Sequence, residues 1–136
     1  MPRPIPTNEE ILYDGKTMVT ETDKEGIITY VNRKFVEMSG YEKKELIGRS
    51  HNIMRHPDMP KTIFKEMWKQ IKQGEPWKGY IKNLRKDGSH YWAVVFITPK
   101  HDTQGNLNGF IAAREIPGPV TLEDVKVKYA EYRAQE

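Results

Sequence analysis

The decapeptide HNIMRHPDMP, residues 51–60, gathers two histidines, an arginine, an aspartate and two prolines. An arginine fork donates paired hydrogen bonds to phosphate or carboxylate oxygens and keeps its charge at any physiological pH. Arg55 is therefore either a ligand clamp or an ordinary arginine, at the surface or paired with Asp58. His56 offers a donor or an acceptor near neutrality, or simply orders a proline-bounded turn. Asp58 lies just ahead of a helix, where it accepts from a ligand, buttresses Arg55, or serves as a cap and dipole partner. Pro57 and Pro60 restrict the backbone around it, which lowers the entropy lost when such a loop grips a ligand. The chemistry on offer is recognition of a polar, anionic group. No nucleophile elbow, metal-ligand spacing or phosphate-cradling glycine loop accompanies it, so the chain is read as non-enzymatic.

The elements that must position these residues follow from periodicity. In PKTIFKEMWKQIKQG, Ile63, Phe64, Met67, Trp68 and Ile71 fall at i, i+1, i+4, i+5 and i+8, one stripe of a helix that Pro60 opens and Gly74 ends. From Trp77 the period changes. WKGYIKNLR and SHYWAVVFITP flank a KDG turn as two long antiparallel strands, and FIAAREI adds a third after HDTQGNLNG. Asn83 sits in the first of these strands, where asparagine is poorly favoured. Alternation through Gly79 and Ile81 puts it on the same side as Trp77, facing either a cavity or solvent. An inward Asn83 presents both a donor and an acceptor. Trp68, Trp77 and Trp92 are either flat walls for an aromatic ligand or plain core.

Upstream, TMVTETDKEGIITYV reads as a hairpin turning at DKEG, with Asn32 as the N-cap of a short helix broken at Ser39-Gly40. A second short helix is expected over Glu42–Ile47, stopping at Gly48. Downstream, PGP at 117–119 halts the last strand, and a capping-box pattern from Thr121 to Asp124 opens a helix. Its seam, Leu122, Val125, Tyr129 and Tyr132, is suited to the domain's own sheet, a second copy, or a neighbouring helix. The resulting division is an N-terminal cap over 1–15, one domain over 16–117, and an amphipathic helix or linker over 118–136.

Composition bounds the function classes. With 136 residues, 37% hydrophobic and 30% charged, the chain has one domain's worth of core. It contains no cysteine, which removes disulfides, thiolate metal sites and thiol nucleophiles. A net charge of +3 spread among acids argues against a nucleic-acid role. No apolar run approaches the roughly 20 residues a bilayer demands, so no direct membrane insertion is expected. MPRPIPTNEE lacks a secretory apolar region and is expected to be an unstructured, cytoplasmic cap.

The order ββ, short helices, one longer helix, βββ, together with DxxGxIxYVN (Asp23 to Asn32), FxxxSGY (Phe35 to Tyr41) and ELIG (Glu45 to Gly48), resembles a PAS sensor domain over residues 17–116. That resemblance implies an α+β fold, a five-stranded antiparallel sheet with short helices on one face and a cavity between. HNIMRHPDMP and GEPWKGYIKNLRKDGSHYWA, residues 74–93, are more specific: they are similar to the PAS domains of bacterial aerotaxis receptors. The likeness implies a non-covalent FAD, with cofactor contacts drawn from Arg55, His56, Asp58, Trp68, Trp77 and Asn83. Arg55 would serve the diphosphate, His56 a phosphate or ribose oxygen, Asp58 the ribose or the loop, Asn83 the edge of the flavin ring, and a tryptophan the adenine or isoalloxazine. It also implies a cytoplasmic redox sensor that signals to the HAMP or signalling region of a chemotaxis receptor, in the same chain or a separate partner, with a homodimer as a further possibility. Two alternatives within the fold are a haem-binding gas sensor, with His51, His56, His90 or His101 as axial ligand, and a cofactor-free interaction module.

Overall fold

Residues 3–136 are described by a computed structural model. The fold is α+β. Strands β1 (Met18–Thr22), β2 (Ile28–Val31), β3 (Trp77–Leu84), β4 (His90–His101) and β5 (Leu107–Glu115) form one antiparallel sheet in the order β2-β1-β5-β4-β3. Between β2 and β3 the chain makes α1 (Arg33–Ser39), α2 (Lys43–Leu46), a 3-10 turn at His51–Met54, and α3 (Lys61–Lys72), and it ends in α4 (Pro119–Ala134).

Local chemistry sets most of these boundaries. The β1–β2 turn is held by Asp23, whose carboxylate accepts from the amides of Glu25 and Ile27, both at 2.9 Å, while Gly26 takes a φ of 85°. Asn32 joins hairpin to helix: its side-chain oxygen accepts from Phe35 N (3.0 Å) and Val19 N (3.2 Å), and its amide donates to Thr17 O (2.9 Å). The second helix is shorter than the expected Glu42–Ile47. Glu42 stands outside it as the N-cap of a reciprocal capping box with Glu45, and Ile47 is already extended. Helix α3 buries Ile63, Phe64, Met67 and Ile71 as the stripe requires. Pro60 supplies no side-chain cap, and the Glu136 carboxylate fills that role by accepting from Lys61 N (3.1 Å) and Thr62 N (2.9 Å).

One sheet face carries the core under α1 to α3; α4 crosses the other. Helix α4 begins at Pro119, ahead of the Thr121–Asp124 pattern, and Gly118 caps it without a side-chain bond, because proline at the first helical position needs no amide partner. Of its seam only Tyr129 is fully buried; the hydroxyl donates to Tyr80 O at 2.7 Å and the ring lies 6.1 Å from that of Trp92. Helix α4 thus covers the domain's own sheet.

The N-terminal stretch has no regular element, yet it is not free of the sheet. Thr7 N donates to Gly88 O (2.8 Å), Ile11 N to His90 O (2.7 Å), and His90 N to Glu9 O (3.0 Å). The reason is an edge: β5 pairs with β4 only from Val94 onward, so the start of β4 would expose unpaired backbone that residues 7–11 satisfy. Met1 and Pro2 of the expected cap lie outside the described residues. Among the described residues no helix is long and apolar enough to cross a membrane.

Candidate cofactor cavity

A cavity of about 370 Å³ lies between the inner sheet face, α3 and the 3-10 turn. Arg55, Trp68 and Asn83 line it; His56, Asp58 and Trp77 do not. The decapeptide therefore divides its side chains between two surroundings.

Arg55 ends the 3-10 turn and forms a backbone bridge with Asn83 in β3, reinforced by His56 N donating to Lys82 O at 3.3 Å. Its guanidinium stacks 3.7 Å from the centroid of Phe64, and Arg3 donates to its carbonyl. Buried Nε has no partner, and burial lowers the guanidinium pKa from its ordinary value. Asn83, 4% exposed, donates from Nδ2 to the hydroxyl of the fully buried Tyr91 at 3.2 Å. Trp68 is half-buried, edge-on to Phe110 at 5.8 Å, with the Lys72 ammonium 5.4 Å from its ring centre. Gly26 underlies the indole so closely that a Cβ there would stand 2.9 Å from the ring, and only glycine leaves Trp68 its place.

His56 turns away from the cavity. It is 3% exposed, its Nδ1 accepts from Asp58 N at 3.0 Å, and its ring meets that of His90 edge-on at 5.6 Å. Burial, with Lys82 nearby, pushes its pKa down to about 4. Asp58 is exposed and bonds to Lys82 Nζ (3.3 Å) and Arg133 Nη1 (3.2 Å), joining the loop to β3 and α4 rather than to Arg55. Trp77 shares a sheet face with Ile81 and Asn83, but it stands six positions along the strand from Asn83, roughly 20 Å. Its ring folds over Gly79, where a Cβ would lie 2.1 Å from the indole. A common face does not bring it to the cavity.

Three further wall residues were not among the expected flavin contacts: Thr20, Arg114, and His51, which the sequence offered only as a haem ligand. Arg114 is buried in β5, and its donors reach Thr20 Oγ1 (3.0 Å), Ala112 O (3.0 Å) and His51 Nε2 (3.1 Å). Desolvation brings its pKa to about 10 and, together with Arg114, takes that of His51 to about 3, so His51 is uncharged. A signal existed for Arg114: alternation in FIAAREI sets it on the same face as Phe110 and Ala112. His51 carried none beyond its type. His90 is buried away from the cavity and His101 is exposed at the end of β4.

This lining fits a flavin nucleotide. The volume is at the small end of the roughly 300–1,000 Å³ typical of ligand pockets, and it would suit a flat ring system, with Glu25, Ser50, Asn52 and Lys72 exposed on the lining. Two guanidiniums with unpartnered Nε atoms and a carboxamide on the wall supply donors for anionic and carbonyl oxygens.

The sequence profile described as PAS fold matches residues 28–114. The chain is 45% identical over 103 residues to the aerotaxis receptor of Escherichia coli, covering 76% of this chain and 20% of the receptor. It is 33% identical over 106 residues to a nitrogen fixation regulatory protein of Klebsiella pneumoniae, covering 77% and 21%. The chain thus spans about a fifth of the length of these relatives. Among solved structures, the light state of the Aureochrome1 LOV domain superposes with a TM-score of 0.73 at 19% identity, covering 82% of this chain and 89% of that one. The strand order, helices α1 to α3 on one sheet face and the profile match agree: this chain belongs to the PAS-fold family.

Proposed function

We propose that the chain is a cytoplasmic, non-enzymatic sensor domain that binds FAD and reports redox state, or oxygen-linked electron transport, to a chemotaxis-type transducer. The observation that carries the reading is the cavity itself, with a guanidinium, an indole and a carboxamide from Arg55, Trp68 and Asn83 on its wall and no carboxylate neutralising the guanidinium among the described residues. The 45% identity to the E. coli aerotaxis receptor supports both the cofactor and the signalling context. Arg55 would hold the diphosphate, Trp68 a face of the ring system, and Asn83 the ring's polar edge. His56 and Asp58 would set the loop from behind, and Trp77 would close the far end of β3.

Bound flavin supplies a redox centre whose charge and hydrogen bonding change with its electron count. Asn83 can answer such a change because its carboxamide both donates and accepts, and Tyr91 holds one of its hydrogens. A shift of β3 reaches α4 through the Tyr80 carbonyl and the Tyr129 hydroxyl. Exposed Tyr30 and Ile111 on the sheet, and Val120 and Val127 on α4, give the receptor's HAMP or signalling region, or a second copy, an apolar surface to read.

Purification followed by an absorption spectrum tests the proposal. Paired near-ultraviolet and blue bands, and release of FAD rather than FMN on denaturation, are the expected result; an intense Soret band would assign a haem instead. Folded, colourless chain that takes up no added FAD would refute it.

A further inference from the structure

Arg114 is 4% exposed on the cavity wall, and three of its five N–H groups are engaged. The others, including that on Nε, have no protein acceptor. A guanidinium only donates, so His51 Nε2 at 3.1 Å must accept, which places the imidazole proton on Nδ1. Thr20 Oγ1 accepts from Arg114 Nη1 at 3.0 Å and lies 3.2 Å from the same nitrogen, whose single lone pair its hydroxyl can only share with Arg114. The network closes only with His51 neutral, and so adds no second charge.

Buried cations are ordinarily paired with carboxylates. Among the described residues neither Arg114 nor Arg55 has one, and the single acidic side chain on the wall, Glu25, is exposed at the rim. The enclosed space is therefore electropositive with donors to spare. We propose that the Arg114 end of the cavity is an anion subsite, which takes the negatively charged oxygen edge of a planar aromatic ligand on the unused guanidinium donors. His51 is its positioning residue, holding the fork through an acceptor that carries no charge. The inference uses the same cavity as the FAD reading but concerns the ligand's charge, not its identity.

The probe is benzoate against benzamide, which share shape and differ in charge, titrated by calorimetry into the full chain freed of any visible chromophore. Loss of a charge-assisted hydrogen-bond pair predicts benzoate binding at least about ten-fold more tightly than benzamide. Arg114→Met brings the ratio near one. His51→Phe lowers the ratio, and His51→Gln, whose carboxamide oxygen can accept from Arg114, restores part of it, which a merely structural role would not do. Equal affinities in the native chain, or no benzoate binding at all, overturn the proposal, as does an undiminished ratio in Arg114→Met. Should that variant not fold, Arg114→Lys, which keeps the charge and loses the fork, must lower the ratio several-fold, and an unchanged ratio refutes the subsite. A chain that refuses FAD yet prefers benzoate keeps this subsite and loses the cofactor reading; one that binds FAD without the preference does the reverse.

Discussion

Arg55→Ala separates ligand loss from fold loss. In the folded chain the guanidinium gains from Phe64, 3.7 Å below it, a contact of roughly 0.5–1 kcal/mol at a partly exposed site. Against this stands its buried Nε, which lacks an acceptor and costs about 1–3 kcal/mol. Removing the side chain forfeits the first and relieves the second, so the unfolding free energy should stay level or rise, by about 0–2.5 kcal/mol, and should not fall. The backbone bridge to Asn83 uses no side-chain atom of Arg55 and survives. Flavin affinity behaves differently: a charged donor pair on phosphate is worth roughly 1.5–3 kcal/mol, or about a ten- to hundred-fold weaker dissociation constant. Urea denaturation followed by circular dichroism gives the first quantity, and FAD titration by fluorescence the second. Arg55→Lys, keeping charge without the fork, should fall between native and alanine. A variant that folds normally and binds FAD within about three-fold of native would remove Arg55 from the site.

Other consequences are equally direct. Below pH 6.5 the unfolded chain takes up a proton at His56 that the folded chain, with its pKa near 4, refuses, so stability falls with pH between those values, by about 2 kcal/mol at pH 5. His51 and His90 are lowered as well and act in the same direction; urea midpoints across that range should show the decline, and His56→Gln should make it shallower by its own share alone. Tyr129→Phe removes the donor to Tyr80 O, costing about 1 kcal/mol and speeding hydrogen exchange in α4 while the exchange of β4 stays slow. Gly88→Ala meets both a φ of 91° and a carbonyl oxygen of Ile5 2.2 Å from the new Cβ. It should destabilise by at least about 1 kcal/mol and expose the amides of Thr7 and Ile11 to exchange.

What was legible in the sequence was what neighbours along the chain decide. Asp23 with Gly26 makes the hairpin turn, Asn32 caps α1, and the α3 stripe lies on the core, because each involves contacts within a few residues or one helical face. The order of strands followed from their period and turns, and the PAS resemblance extended it to the whole sheet. The cavity was only half legible. Arg55 and His56 are adjacent on extended backbone bridged to β3, where successive side chains point to opposite sides, one toward the ligand space and the other toward His90; residue type cannot forecast that the 3-10 turn ends in this pairing. Trp77 has the right face and the wrong distance. Arg114 and His51 are 63 positions apart, and their meeting is a property of the closed sheet. At α4, Pro119 overrode a good capping pattern because its fixed φ starts the helix first.

The paired stitches between the decapeptide and β3, Arg55 with Asn83 and His56 with Lys82, clasp the root of α3 to the sheet at both ends of the segment 56–82. A lid hinged there would have to break strand-like backbone bonds to swing. The exposed side chains of the lining, Glu25, Ser50, Asn52 and Lys72, offer a way in that needs only their own rotation. Loading and release then become gated by rotamer motion and by how much of the guest protrudes, which makes residence time a property of the threshold more than of the backbone.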